Sequence, residues 1–157
     1  MRLFVSFGLL AAAATLPGCA YYHLEDRSAP AATFRFNYAG GPSQYSVVRD
    51  DPCEKGVRLA KLGAFDSAKK NVKIAAGKVV RIKARTLFSG LRPGSGSNWC
   101  ESVAEFSPQA GRSYRARHYQ PQGSQCILKI EDETDSAAPP DLVIRDALSC
   151  PPIGFSW

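Results

Sequence analysis

The sequence has little of what an enzyme or a metalloprotein normally uses. It contains two histidines in 157 residues, and histidine is the most versatile general base and the commonest metal ligand. His23 lies in a mixed segment near the N-terminus, and His118 lies on a predicted strand, where we expect a lone histidine to be at the surface. No Gly-x-Ser-x-Gly, His-Glu-x-x-His or glycine-rich phosphate loop occurs. We therefore predict a protein that is not an enzyme and has no cofactor.

Carboxylates that could bind a metal are also few. Asp50 and Asp51 precede Pro52, a pattern typical of a turn. The acidic run 131–135 lacks the glycine and the spacing of a calcium-binding EF-hand loop, so we expect it to be a solvated loop. The sequence predicts no metal site.

Long apolar runs are absent except at the N-terminus. Arg2 is followed by an apolar segment from Leu3 to Ala14, which is typical of a helical signal peptide and short for a membrane span. The segment ends at Leu16-Pro17-Gly18-Cys19, which resembles the lipobox of bacterial lipoproteins. The alternative is an ordinary signal peptide with a chance cysteine near its end.

The resemblance to bacterial lipoproteins implies a specific processing of Cys19. Its thiol would take a diacylglycerol, residues 1–18 would be cleaved, and the new amine would take a fatty acid such as palmitate. Ala20, rather than an aspartate, follows Cys19. By the same resemblance this implies an outer-membrane anchor facing the periplasm, with exposure on the cell surface as the alternative. Cleavage would leave 139 residues and reduce the net charge from +6 to +5.

The five cysteines divide into one plus four. With Cys19 assigned to lipid, four remain in an exported chain, which indicates two disulfides. A zinc site is disfavoured because 46, 25 and 23 residues separate them, whereas zinc sites use close pairs. Four cysteines allow three pairings. We favour Cys100–Cys126, whose intervening segment resembles a strand, a turn and a strand, together with Cys53–Cys150.

Helical periodicity does not run for three turns anywhere after the leader, whereas alternation with period two recurs. We predict three regions: a leader at 1–18, a lipidated tether at 19–32 and a domain at 33–157. About seven short strands separated by turn signals favour an all-β sandwich. The segment 106–114 loosely resembles small uncharacterised bacterial lipoproteins with transthyretin-like or immunoglobulin-like sandwiches.

Charge is unevenly distributed along the chain. Residues 55–92 carry eleven basic side chains and one acidic side chain, whereas residues 131–146 carry six acidic and one basic. Alternation places three cations of one predicted strand on a common face, with a fourth expected across a hairpin. These candidate anion-binding residues are Lys73, Arg81, Lys83 and Arg85. The alternative is a solvated face that discourages edge pairing.

The predicted function is that of a non-catalytic envelope lipoprotein, a periplasm-facing binding or accessory module held to the membrane by the lipid on Cys19. Its basic face would contact an anionic lipid, a glycan or a protein, and an exported chain is not expected to meet nucleic acid. The alternatives are a subunit of an envelope or secretion complex and a periplasmic enzyme inhibitor.

Overall fold

The computed structural model consists of two β-sheets and contains no helix in the residues it describes. These residues are 21–24, 26–49, 54, 56–63, 70–87, 99–121 and 126–146. The strands are β1 (Ala31–Asn37), β2 (Ser43–Val48), β3 (Val57–Leu62), β4 (Lys70–Ala75), β5 (Val80–Leu87), β6 (Trp99–Phe106), β7 (Ser113–Tyr119), β8 (Ile127–Asp132) and β9 (Val143–Asp146). The prediction of an all-β fold is confirmed, with nine strands in the described residues rather than about seven.

The strands form a four-stranded sheet in the order β4-β1-β7-β8 and a five-stranded sheet in the order β3-β2-β5-β6-β9. All neighbours are antiparallel except β1 and β7, which run parallel. β3 and β4 are therefore edge strands of different sheets. β8 and β9 are the edge strands on the other side.

The core lies between the sheets because alternate residues of most strands are apolar. On β1, Phe34 and Phe36 are fully buried. The ring of Phe34 lies 5.7 Å from that of Phe106 on β6 of the opposite sheet, and the ring of Phe36 lies 4.5 Å from that of Tyr45 on β2. Such aromatic pairs stabilise a core beyond the area they bury.

The chain before β1 is also attached to the domain. Tyr21 forms a parallel bridge with Arg58 of β3, and the amide of Tyr22 donates to the Arg58 carbonyl at 2.7 Å. β1 begins at Ala31, two residues before the predicted domain boundary. Residues 21 and 22 of the predicted tether are therefore part of the domain surface and not a free spacer.

Candidate functional site

The structure separates the four cations predicted to bind an anion. Arg81, Lys83 and Arg85 alternate along β5, where the two arginines are partly exposed and Lys83 is buried. Lys73 lies on β4, which pairs with β1 in the other sheet. The expected hairpin between β4 and β5 is wrong, because the short turn at Gly77 carries the chain from one sheet to the other and not back along the same one.

The cations on β5 are paired with groups on neighbouring segments. Arg81 forms an ion pair with Glu105 at 2.7 Å, and Arg85 forms one with Glu101 at 2.7 Å, both across to β6. Lys83 is only 6% exposed, and its ammonium donates to the carbonyl of Glu54. Burial lowers the pKa of the Arg85 guanidinium, and the charge of Glu101 opposes that shift. The two arginines of β5 therefore already contact carboxylates. Anion binding by this strand stays a prediction.

The acidic run at 131–135 is not the solvated loop that the sequence predicts. Its first two residues belong to β8, and Glu131 and Glu133 form ion pairs with arginines of the same sheet. These pairs are Arg117–Glu131 at 2.8 Å, Arg115–Glu133 at 3.1 Å and Arg35–Glu133 at 3.0 Å. The hydrogen bonds from Lys129 and Arg117 lower the pKa of Glu131. Glu131 and Glu133 are thus neutralised by arginines of β1 and β7, which lie outside the basic part at 55–92.

His118 is the clearest departure from expectation. It is fully buried, with 0% exposure, on the face of β7 that points toward the five-stranded sheet. Its Nδ1 lies 2.7 Å from the Thr86 hydroxyl of β5, and its Nε2 lies 3.2 Å from the Ser102 hydroxyl of β6. The prediction of a surface histidine is therefore wrong, because residue 118 is in phase with Tyr114 and Ala116, both of which are buried.

The hydrogen bonds around His118 run in one direction. The hydroxyl of Ser43 donates to the Gly41 carbonyl at 2.9 Å. Because that hydroxyl has one proton, Thr86 must donate to Ser43 across their 2.9 Å contact. Thr86 has then used its own proton, so His118 Nδ1 donates to Thr86. The geometry therefore places a proton on Nδ1, and in the neutral imidazole Nε2 accepts from Ser102.

Protonation of His118 is unfavourable in this environment. Burial lowers its pKa from 6.5 to about 4, because a second ring proton would place a charge in the core and remove the acceptor that Ser102 uses. At neutral pH the group links the two sheets as an uncharged hydrogen-bonding residue. With no exposed surface it cannot reach a substrate in this conformation.

A disulfide lies beside His118. Cys100 of β6 is bonded to Cys126, which immediately precedes β8, with their Cα atoms 6.0 Å apart. This confirms the predicted pairing, whereas Cys53 and Cys150 lie outside the described residues. The two sulfur atoms and a ring nitrogen of His118 are within 4.8 Å of one another. Metals bind thiolates, and sulfur atoms joined in a disulfide do not provide them.

A groove lies where the edge strands β3 and β4 approach each other. Its volume is about 660 Å³. The residues that line it are Tyr21, Tyr22, His23, Leu24, Arg27, Leu59, Lys70, Asn71, Val72 and Lys73. Among the described residues that line the groove, three side chains are cationic and none is a carboxylate. Lys73 is the single predicted anion-binding residue that this groove includes.

Several residues of the sequence-based predictions lie outside the part of the chain that the structure describes. Cys19, the leader at 1–18 and the pair Asp50 and Asp51 lie outside the described residues. Within the part of the chain that the structure describes, no helix has both the length and the apolar character needed to cross a membrane. No family model matches the chain, and the searches of curated proteins and of solved structures also found no match.

Sequence reasoning missed the groove and the buried histidine for different reasons. His118 had a local signal, its shared phase with Tyr114 and Ala116. The groove had none, because its residues come from the chain before β1, from β3 and from β4, and only the sheet order brings them together.

Proposed function

We propose that this chain is a non-catalytic lipoprotein of the bacterial envelope, anchored in the outer membrane by lipid on Cys19 and facing the periplasm. Its domain is a β-sandwich of the transthyretin-like or immunoglobulin-like kind that serves as a binding or accessory module. The observation that carries the proposal is the sequence Leu16-Pro17-Gly18-Cys19 after a positively charged start and an apolar segment.

The disulfide supports export. Cys100 and Cys126 join strands of different sheets, and stable disulfides are typical of oxidising compartments such as the periplasm. A reducing cytosol would keep both as thiols, next to a buried histidine and without the link between the sheets.

The state of His118 supports a non-catalytic role. A general base must lie within hydrogen-bonding distance of the proton that it removes. His118 is enclosed between the sheets, and both of its ring nitrogens are engaged with hydroxyl groups. In this arrangement the residue holds the two sheets together and does not face a ligand.

The mass of the mature protein tests the proposal. In a bacterial host we expect a chain of residues 19–157 that carries a diacylglyceryl group and one amide-linked acyl chain, and that lacks the four hydrogens lost in forming two disulfides. The Cys19→Ser variant, which has no thiol to modify, should retain residues 1–18 and carry no lipid. Intact-mass spectrometry of both proteins from isolated envelopes measures this. A wild-type chain without lipid, or one cut elsewhere, would contradict the proposal.

A further inference from the structure

The edge of the domain nearest to the N-terminus has a fixed structure. The segment Tyr21–Leu24 lies across the gap between the two sheets. Its Tyr22 amide donates to the Arg58 carbonyl of β3 at 2.7 Å, and the Tyr22 hydroxyl accepts from the Ala75 amide of β4 at 3.4 Å. The segment therefore contacts the edge strand of each sheet, so the chain enters the domain at one defined place.

The groove beside this segment is cationic and partly aromatic. Arg27, Lys70 and Lys73 line it, and the ammonium of Lys70 lies 4.4 Å from the centre of the Tyr21 ring. The Arg58 guanidinium lies 5.7 Å from the same ring. Tyr21 is 40% exposed, so an apolar ring with a polar tip stands among cations at the surface. Amphipathic aromatic rings and cations of this kind favour a membrane interface.

The covalent chain limits the distance between Cys19 and Tyr21. One residue, Ala20, separates Cys19 from Tyr21, and consecutive Cα atoms are about 3.8 Å apart, so the Cα atoms of Cys19 and Tyr21 are at most about 8 Å apart. The polar layer of a bilayer is roughly 5–8 Å thick on each side of its hydrocarbon core. If the acyl chains on Cys19 lie in the hydrocarbon, Tyr21 and the groove are placed within reach of the headgroups.

We propose that the groove binds the phosphate groups of anionic phospholipids in the leaflet that holds Cys19. This inference rests on the lipidation of Cys19 that the proposed function includes. Lys70, Lys73 and Arg27 donate hydrogen bonds to phosphate oxygens, and Tyr21 lies among the headgroups. The domain is thereby oriented, with the β3 and β4 edge on the membrane and the β8 and β9 edge toward the periplasm.

Hydrogen exchange of the intact lipidated protein in vesicles tests the orientation. The amides to follow are those of residues 21–24 and of β4, an edge strand on which alternate amides point away from β1 toward water. We expect vesicles of phosphatidylcholine and phosphatidylglycerol at 7:3 to slow their exchange by on the order of tenfold relative to phosphatidylcholine alone. Each lysine near an anionic surface contributes about a fivefold attraction.

Two double variants distinguish a local contact from a general effect of charge. Lys70→Gln with Lys73→Gln should reduce the attraction about 25-fold and return the exchange to its rate on neutral vesicles. Lys129→Gln with Arg145→Gln removes the same charge from strands β8 and β9 at the opposite edge. This control should keep the slow exchange.

Three outcomes would overturn the inference. The first is an equal rate of amide exchange on the anionic and the neutral vesicles. The second is an equal effect of the two double variants on that rate. The third is that inorganic phosphate, added to the protein on neutral vesicles, slows exchange as much as anionic lipid does. The last outcome would indicate a site for small anions and not a membrane contact. The mass of each sample shows whether Cys19 is acylated. An acylated protein whose amides are not protected contradicts phospholipid binding by the groove but not the proposed function.

Discussion

Replacement of Cys100 and Cys126 by serine in one double variant should lower the free energy of unfolding by about 3–4 kcal/mol. The two residues are 26 positions apart, and closing a loop of that length removes this much conformational entropy from the unfolded chain in the entropic description. A domain with a stability of about 5–15 kcal/mol would lose a large part of it.

Besides this global loss of stability, local opening should increase at one end of the domain. Cys100 belongs to β6 of the five-stranded sheet, and Cys126 leads into β8 of the other sheet. His118 contacts Ser102 two residues from Cys100, so the covalent link and the hydrogen-bonded link between the sheets are neighbours. Loss of the disulfide should speed hydrogen exchange in β8 more than in β3, which lies on the other side of the fold.

Urea unfolding of the wild type and of the double variant measures the change. Cys53→Ser with Cys150→Ser is the matched control, because it also removes two cysteines and leaves Cys100–Cys126 intact. If Cys53 and Cys150 form the second predicted disulfide in the wild type, the control will also lose stability. Hydrogen exchange in β8 of the control should nevertheless stay slow. A Cys100 and Cys126 double variant within 1 kcal/mol of the wild type would contradict the prediction.

Many of the strands can be predicted from the local pattern of apolar and polar residues. In Ala31–Asn37 and Ser113–Tyr119 buried and partly exposed residues alternate strictly, as the recurring period of two in the sequence predicts. Such segments are predictable because each has one face toward the core, and this requires a period of two.

The pairing of strands is different because it depends on residues far apart in the chain. β1 pairs with β7 in parallel, about eighty residues away, and no local pattern specifies that partner. The turn between β4 and β5 resembles a hairpin, yet β4 pairs with β1 and buries Ile74 fully. This choice moved Lys73 away from Arg81 and Arg85, and it placed Lys73 with Lys70 beside Tyr21 in a groove that the sequence could not predict.

Acidification should destabilise the wild type through His118. The pKa of this residue is about 4 in the folded protein and 6.5 without the fold. Between these values the unfolded chain binds a proton that the folded chain does not, so stability falls as the pH falls from 6.5 toward 4. The slope is about 1.4 kcal/mol per pH unit at most, and the total is about 3 kcal/mol. Below pH 4 both states are protonated at this residue, and its contribution becomes constant.

The variant His118→Gln isolates this contribution. Glutamine retains a donor and an acceptor but does not titrate in this range. We expect it to be less stable than the wild type at pH 7, because its amide cannot reach Thr86 and Ser102 with the geometry of the ring. Its stability should nevertheless fall less on acidification. Between pH 7 and pH 4.5 the wild type should lose about 2 kcal/mol more than the variant.

Urea unfolding of both proteins at the two pH values gives the result. All other ionisable groups are the same in both proteins, so their contributions cancel in the difference between the two pH dependences. A solvated histidine on the surface of β7 would have nearly the same pKa in the folded and unfolded chains, and the difference would then be close to zero. The experiment thus distinguishes a buried His118, as in the structure, from a histidine on the surface, as the sequence predicts. A loss of about 2 kcal/mol requires that the imidazole is neutral and enclosed between the sheets at neutral pH.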